Sequence, residues 1–177
     1  MEYSQIIPGR FLSRPNRFIA QVEIQHKGEL TEETVHVKNT GRCRELLVPG
    51  ARVYLAKSEN PARKTAWDLV AVQKGDLLIN MDSAAPNRAV LEWLRAGRYL
   101  KGLTKIRPET VYGNSRFDFY AEAGERKILI EVKGVTLEHQ RTALFPDAPS
   151  ERAVRHADEL AQAAREGYEC YVLFVIQ

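Results

Sequence analysis

The sequence predicts a two-domain protein of mixed α+β and α/β class, with a small β-barrel in residues 1–81 and an α/β core in residues 82–177. Short alternating strand segments fill the first half, and a turn-rich segment lies at residues 82–87. The second half follows the order helix, three strands, helix, strand. A length of 177 residues suits either one large domain or two small ones.

The first half is predicted to contain about five short strands. Alternating apolar and polar residues mark segments 18–24, 34–38, 52–56 and 66–72. The stretch Asn39-Thr40-Gly41 breaks the strand pattern because Asn and Gly tolerate positive φ. Residues 42–47 are long enough for a short helix that Pro49-Gly50 ends. Short strands with a helix after the third are typical of an OB-type Greek-key barrel.

Basic residues cluster between positions 38 and 64, in a chain whose net charge is +3. Such clustering indicates a nucleic-acid-binding face, although a solvated surface explains the charge equally well. OB barrels also use exposed aromatic rings on which bases stack. The stacking candidates are Phe11, Phe18, Tyr54 and Trp67. Most of them are expected in the core, and Tyr54, which lies close to Arg52 in the sequence, is the preferred candidate. The predicted binding residues here are Lys38, Arg42, Arg44, Arg52, Tyr54, Arg63 and Lys64.

In the second half, a helix over 88–96 is predicted from an apolar stripe at Val90, Leu91 and Leu94, and Gly97 ends it. Three strands should end near residues 112, 121 and 132, and a loop should run from 133 to 149. A second helix over 150–166 and an apolar strand over 168–176 complete the order. The stripe predicted to be buried on the second helix consists of Val154, Ala157, Leu160, Ala161 and Ala164.

Two neighbouring strands of this half carry the residues with the strongest chemical signal. A turn at 123–125 would bring Asp118 beside Glu131, and Lys133 shares a strand face with Glu131 because side chains alternate. Two carboxylates can hold Mg²⁺ or Mn²⁺, with the Val132 carbonyl as a further ligand. Such an ion activates water and polarises a phosphodiester, while a lysine stabilises phosphoryl charge.

This Asp…Glu-x-Lys pattern resembles the signature of the PD-(D/E)XK nuclease superfamily. A surface salt-bridge ladder across the two strands is the alternative interpretation. The apolar run around Glu131 favours a site, because a buried carboxylate needs a partner or a metal. Arg116 is a further predicted contact with nucleic acid. Accessory candidates are Glu92, which is expected in solvent, Arg152, and His156, which is expected on the helix surface.

The chain also resembles the sugar fermentation stimulation protein A (SfsA) family over nearly its whole length. The matching segments are N-R-F at 16–18, N-T-G-R at 39–42, R-E-L-L at 44–47, P-G at 49–50, R-K at 63–64, P-N at 86–87, S-R-F-D-F at 115–119, E-V-K-G-V-T-L at 131–137, F-P-D-A at 145–148 and E-R at 151–152 followed by His156. The resemblance implies an OB-like domain, a nuclease-like domain, DNA binding, and a regulatory link to sugar (maltose) metabolism in bacteria. This chain departs from the family pattern at Ser150, where the family usually has threonine, and at Ala153, where it usually has glycine. Relatives are expected to continue beyond Gln177.

Three functional hypotheses follow. The first is a sequence-tolerant DNA-binding protein of the SfsA type, for which RNA is an alternative ligand. The second is a Mg²⁺- or Mn²⁺-dependent nuclease in which Asp118, Glu131 and Lys133 are catalytic. The third is a regulator that acts at specific sites, although the sequence shows no helix-turn-helix or zipper pattern.

The remaining features predict a soluble cytoplasmic protein. No apolar run approaches the roughly 20 residues of a membrane span, and no signal peptide is visible at the start. Cys43 and Cys170 lie far apart in the sequence and are expected to be free thiols in a reducing compartment. No pattern predicts the oligomeric state.

Overall fold

The structure is a computed structural model that describes residues 2–26, 28–39, 41–58, 60, 62–147 and 150–177. Thr40, in the predicted strand break, and Ala148 and Pro149, in the predicted loop, lie outside these ranges. The chain forms two compact units. The first comprises Met1–Ala85, Thr136–Phe145 and Gln177, and the second comprises Pro86–Val135 and Pro146–Ile176.

The first unit is built on a six-stranded sheet. Its strands in chain order are β1 (Ile6–Asn16), β2 (Ile19–His26), β3 (Glu29–Val37), β4 (Arg52–Lys57), β5 (Trp67–Lys74) and β6 (Leu77–Asn80). Their order in the sheet is β3-β2-β1-β4-β5-β6, and β3 also pairs with β5 in parallel. That pairing places His36 opposite Asp68 and Val37 opposite Leu69, so it joins the two ends of the five-strand run from β3 to β5.

Strand β1 extends through Pro8 and Gly9, two residues that are unfavourable in strand interiors. Gly9 packs directly against β2, because a Cβ atom there would lie 2.5 Å from Val22 Cγ1. The missing side chain therefore allows β1 and β2 to approach, which an alternation pattern does not reveal. The core of this unit is formed by alternate strand residues, among them Phe11, Val22 and Leu55.

The predicted helix at residues 42–47 is wrong, because this segment makes a single turn. The N–H groups of Leu46 and Leu47 both donate to the Cys43 carbonyl, at 3.2 and 2.9 Å. Leu46 and Leu47 are buried in the core. One turn is enough to bury both leucines, and the high cost of nucleating a helix disfavours a longer one here.

The second half of the chain begins with α1 (Ala85–Arg95) and continues through β7 (Lys105–Tyr112), β8 (Ser115–Ala123) and β9 (Arg126–Val135). A short hairpin of β10 (Glu138–His139) and β11 (Thr142–Ala143) follows and belongs to the first unit. The chain then forms α2 (Glu151–Arg165) and β12 (Glu169–Ile176). Within the second unit, the predicted order of helix, three strands, helix and strand is therefore present.

The four strands of the second unit form a mixed sheet in the order β12-β9-β8-β7. Strands β7, β8 and β9 are antiparallel neighbours, whereas β12 pairs in parallel with β9. One core cluster packs α1 residues such as Leu94 against Phe119 and Ile130. The other packs Leu160 of α2 against Phe117 and Leu129. The sheet is therefore covered by one helix on each face.

The predicted loop after residue 132 is wrong at its start, because β9 continues to Val135. Residues 133–135 pair with residues 174–176 of β12. This pairing satisfies the backbone groups of the Lys133-Gly134 segment, whose composition alone favoured a loop. The extension keeps Lys133 within β9, so that it lies on the strand face that alternation predicts it to share with Glu131.

The buried face of α2 also differs from the predicted stripe. His156, Leu160 and Ala163 are buried, whereas Val154 is 62% exposed and Ala157 is exposed. Ser150 caps the helix by accepting a hydrogen bond from the Ala153 N–H at 3.2 Å. The prediction failed because it counted alanines as apolar and His156 as polar. The predicted buried face was therefore displaced around the helix axis from the face that is buried. Among the described residues, no helix has the length and apolar character required to cross a membrane.

Candidate functional site

The pairing of β8 with β9 brings Asp118 and Glu131 to neighbouring positions. The β8–β9 ladder runs from Ala123 opposite Arg126 to Phe119 opposite Ile130, and Asp118 and Glu131 are the next residue of each strand. At this point the Val132 N–H donates to Asp118 Oδ2 at 2.7 Å. The Asp118 carboxylate therefore takes the place of a main-chain acceptor in the ladder.

Strand β8 is irregular at Asp118. Phe117 packs in the α2-side cluster and Phe119 in the α1-side cluster, although residues two apart in a regular strand face the same side. The second oxygen, Asp118 Oδ1, accepts a hydrogen bond from Asn87 of α1 at 2.7 Å. The irregular strand and α1 together fix the orientation of this carboxylate.

The pKa of Asp118 is raised above its ordinary value, mainly because burial disfavours the charged form. Hydrogen bonds from Val132 and Asn87 oppose this rise. The negative charge of Glu131 adds to it, and the positive charge of Lys133 again opposes it. Asp118, Glu131 and Lys133 are thus near enough to interact electrostatically, as a shared site requires.

Glu131 is buried in the middle of the sheet, with only 4% of its surface exposed. Its Oε1 atom accepts hydrogen bonds from Lys133 Nζ at 2.5 Å and from His156 Nδ1 at 2.8 Å. Its Oε2 atom is also buried, and among the described residues it has no hydrogen-bond partner. An unsatisfied buried carboxylate oxygen is costly, and a bound cation or water would satisfy it.

His156 is only 4% exposed, so the expectation of a surface histidine is wrong. Its Nε2 atom lies 3.3 Å from the Nε–H group of Arg152. Because arginine only donates, Nε2 must accept, and we therefore assign the proton to Nδ1, which donates to Glu131. His156 thus links the Arg152 guanidinium to the Glu131 carboxylate.

The other residues predicted for this site, Glu92, Arg116 and Val132, do not take the roles predicted for them. Glu92 is exposed on α1, and Asn87 is the α1 residue that hydrogen-bonds Asp118. Arg116 is exposed, with its Nη1 atom 3.5 Å from Glu109. Val132 contributes its N–H group to the arrangement. Within the described ranges, no three His, Cys, Asp or Glu side chains are grouped so that they could hold a metal ion.

Sequence reasoning missed Asn87, and it named His156 as an accessory candidate but placed it on the helix surface. Asn87 fell within the turn-rich segment that the sequence marks as a linker. His156 had a usable signal, because His156, Leu160 and Ala163 follow the i, i+4, i+7 spacing of one helix face.

In the first unit, Arg14 ties two connections together through main-chain carbonyls. Its Nη1 atom donates to the carbonyls of Gly41 and Arg42, at 2.8 and 2.9 Å. Its Nη2 atom donates to those of Arg17 and Asn39, at 2.7 and 2.6 Å. One guanidinium thus fixes the β1–β2 turn against the segment that follows β3.

The connection between β4 and β5 reaches the same end of the sheet as the β1–β2 turn. The Val37 N–H donates to the Phe18 carbonyl at 2.7 Å, and β3 pairs with β5 through His36 and Asp68. Asp68 binds both His36, at 3.0 Å, and Arg63 of the β4–β5 connection, at 2.9 Å. We call this region the basic end and define it by Arg17, Phe18, Lys38, Arg42 and Arg63.

The predicted basic residues divide between this region and the rest of the unit. Arg42, Arg44 and Lys64 are exposed, whereas Lys38 pairs with buried Asp82 at 3.0 Å. Arg52 begins β4, and Lys57 at the other end of that strand pairs with Trp67. Arg52 lies opposite Arg10 of β1, four residues before Arg14 on that strand.

Tyr54, the preferred stacking residue, is only partly exposed and has the Arg52 guanidinium 5.5 Å from its ring centroid. It lies on β4 between Pro8 of β1 and Ala71 of β5, inside the sheet. Phe11 is buried, as expected. The expectation that Phe18 lies in the core is wrong, because Phe18 is 44% exposed at the basic end.

The fold and these sites define a class of protein that joins an OB domain to a second domain on one chain. Residues 12–81 match the family description "SfsA N-terminal OB domain", and residues 84–177 match "Sugar fermentation stimulation protein RE domain". The chain belongs to the SfsA family, and the resemblance predicted from its sequence motifs is confirmed.

Relatives match over the whole chain. A sugar fermentation stimulation protein homolog of Desulfitobacterium hafniense (strain Y51) is 59% identical over 177 residues, covering 100% of this chain and 75% of the relative. A homolog from Ruminiclostridium cellulolyticum is 56% identical, covering 100% of this chain and 76% of that protein. The solved structure described as Pyrococcus furiosus SfsA in complex with Ca²⁺ has a TM-score of 0.82 at 31% identity, covering 98% of this chain and 74% of that one.

Proposed function

We propose that this protein binds DNA through the basic end of its first unit, with RNA as an alternative ligand. The observation that carries the proposal is the Arg14 side chain, which donates to carbonyls of two connections and so fixes the loop that presents Arg42 and Arg44. A loop fixed before binding loses less conformational entropy when it contacts a phosphate backbone.

Contacts of this kind favour binding without strong sequence preference. Arginine and lysine side chains neutralise phosphates, whose charge is the same at every nucleotide. Lys38 and Arg63 already pair with Asp82 and Asp68. The exposed Arg42 of the basic end is therefore expected to contact phosphate, together with the exposed Arg44 and Lys64, which follow Arg42 and Arg63 closely in the sequence.

The proposal predicts steep salt dependence, because each neutralised phosphate releases counterions. Fluorescence anisotropy with a labelled oligonucleotide at several salt concentrations measures the slope of log K against log salt. Arg42→Gln should weaken binding to all sequences and reduce that slope by about 1. Arg141→Gln is the matched control, because Arg141 pairs with Asp76 beyond the end of β5 that is remote from Asp68, and it should leave the slope unchanged. Affinity that does not fall from low to moderate salt would remove the proposal.

A second candidate function is a Mg²⁺- or Mn²⁺-dependent nuclease in the second unit. It is favoured by buried Glu131 Oε2, which lacks a described partner next to a second carboxylate. Asp118, Glu131 and the Val132 carbonyl supply only oxygen, the donor type that hard divalent cations select. The related Pyrococcus furiosus protein, described in complex with Ca²⁺, supports cation binding of this type.

A bound ion would supply Lewis acidity at a phosphodiester and lower the pKa of a coordinated water. The chain's own residues would prepare the site. Asn87 and the Val132 N–H orient Asp118, and His156 and Arg152 hold Glu131. The Lys133 amine, now at Glu131 Oε1, would stabilise negative charge on the phosphate oxygens.

Thermal unfolding with and without Mn²⁺ tests cation binding separately from activity. Binding at this site should raise Tm by several degrees at saturating Mn²⁺, and Asp118→Ala should abolish both the rise and any cleavage of DNA or RNA. Glu125→Gln, in the turn at the other end of the β8–β9 hairpin, is the control. Cleavage that survives Asp118→Ala would exclude this mechanism.

The third part of the proposal is a role in the regulation of sugar metabolism. The names of the relatives favour it, and it requires DNA binding that selects particular sites. A competition assay between genomic fragments measures that selectivity. Equal affinity for all fragments would leave a sequence-tolerant binder.

A further inference from the structure

Phe18 is an aromatic residue at the tip of a turn, outside the core. The β1–β2 turn carries it, and 44% of its surface is exposed. The guanidinium of Arg17 lies 4.7 Å from its ring centroid. Because nearly half of this residue stays in solvent, packing of the first unit accounts for only part of the large apolar side chain here.

The backbone at Phe18 is fixed on both sides. Asn16 Oδ1 accepts hydrogen bonds from the N–H groups of Phe18 and Ile19, at 2.9 and 3.1 Å. The Phe18 carbonyl accepts from the Val37 N–H at 2.7 Å, and Arg14 holds the Arg17 carbonyl. The ring is therefore attached to a rigid turn and would lose little freedom on binding a ligand.

One cationic side chain, that of Arg17, lies over this ring. Arg17 precedes it, and Arg14 holds the main chain of Arg42 against the same turn. Flat, sequence-tolerant stacking of a base on an aromatic ring, together with arginine contacts to phosphate, is the physical basis of single-strand recognition. In a duplex the bases already stack on one another and are less available to a protein ring.

We propose that Phe18 is a stacking platform for an unpaired base, and that the basic end prefers single-stranded nucleic acid to duplex. This inference rests on the proposed nucleic-acid binding and deepens it. It also moves the stacking role from Tyr54, on a strand inside the sheet, to the turn between β1 and β2.

Three labelled probes test the platform at one fixed salt concentration: a thymidine 20-mer, an abasic strand of equal length, and a duplex. Phe18→Leu should weaken binding to the thymidine strand by roughly 5- to 100-fold, the size expected when one base–aromatic stack is removed. Its affinities for the abasic strand and the duplex should match those of the wild type. Leu30→Ala is the matched control, because Leu30 is 68% exposed at the opposite end of the β2–β3 hairpin.

Phe18→Trp provides a second readout. A base stacked on the new indole should quench its fluorescence when the thymidine strand binds, whereas the abasic strand should not. If Phe18→Leu binds the thymidine strand as tightly as wild type, the platform is overturned while salt-dependent binding stands. If the wild type binds none of the probes, the platform and the proposed function both fail.

Discussion

Glu131 shows how a single buried side chain depends on its neighbours. Its carboxylate is almost fully removed from solvent, and Lys133 and His156 both donate to one of its oxygens. Arg152 donates in turn to His156. Burying an ion is unfavourable unless it is paired and hydrogen-bonded. The positive charges of Lys133 and Arg152 offset the negative charge of Glu131. Arg152 acts through His156, which accepts a hydrogen bond from Arg152 and donates one to Glu131.

We expect His156→Phe to destabilise the protein by about 1.5–3 kcal/mol, since it removes a hydrogen bond to a buried charged group. The new ring keeps the apolar contact with Phe117, whose centroid lies 5.6 Å from that of His156. Urea unfolding followed by circular dichroism gives the free energy. Arg155→Ala, on the exposed side of α2, should change it by less than about 0.5 kcal/mol.

A double-mutant cycle separates the hydrogen bond from packing. In a Glu131→Gln background, His156→Phe should cost less, because no buried charge then loses its donor. An equal cost in both backgrounds would show that the hydrogen bond to Glu131 contributes nothing beyond packing.

At the residue scale the sequence predicted that Asp118, Glu131 and Lys133 lie close together, but not which side chains hydrogen-bond them. Asp118, Glu131 and Lys133 were found because strand alternation and one turn place them together. Asn87 was missed and His156 was placed on the surface, because both come from helices whose rotation about their own axes depends on packing. Composition alone does not distinguish a surface histidine from a buried one.

The second helix illustrates how an element is fixed at both ends. Ser150 caps its start, and at its end the Tyr112 hydroxyl of β7 donates to Glu166 Oε2 at 2.6 Å. Glu159 accepts from the Asn114 N–H of the β7–β8 turn at 3.1 Å. These contacts tie α2 to the sheet edge opposite β12 and thereby hold His156 over Glu131.

The Tyr112 contact predicts a pH-dependent signature. The hydrogen bond to Glu166 is the largest cause that raises the Tyr112 pKa, from 10.0 to about 12. Because the hydroxyl donates, the neutral phenol is favoured and ionisation is delayed. We expect Glu166→Gln to lower this pKa towards 10.0, as followed by NMR of the tyrosine ring carbons. Tyr120 is the internal control, because burial is the main cause of its raised pKa and should persist. An unchanged titration of Tyr112 would exclude this assignment.

Across the whole molecule, the two proposed functions lie in different compact units. The basic end belongs to the first unit, and the carboxylates belong to the second. The first unit is completed by residues 136–145, where Glu138 Oε2 pairs with Lys74 of β5 at 2.7 Å. The chain therefore leaves the first unit, builds three strands of the second, and returns before forming α2.

This division predicts that substitutions in the two units act independently. Asp118→Asn should abolish stabilisation by Mn²⁺ while changing DNA affinity in Mn²⁺-free buffer by no more than about twofold. Arg42→Gln should weaken DNA binding and leave the Mn²⁺-induced rise in Tm intact. Titrations of both variants with DNA and with Mn²⁺ make the comparison. Loss of both properties in either variant would show that one site serves both functions.

The sequence by itself determined the family, the order of elements in the second unit, and the three residues of the Asp…Glu-x-Lys pattern. These are local or motif-based properties, because strand alternation and turn residues act over a few positions. Only the tertiary structure decided which face of α2 is buried, that β9 continues past Lys133, and that Phe18 rather than Tyr54 lies at the basic end. Each of these depends on contacts between segments far apart in the chain, such as β12 with β9 and Arg14 with Asn39.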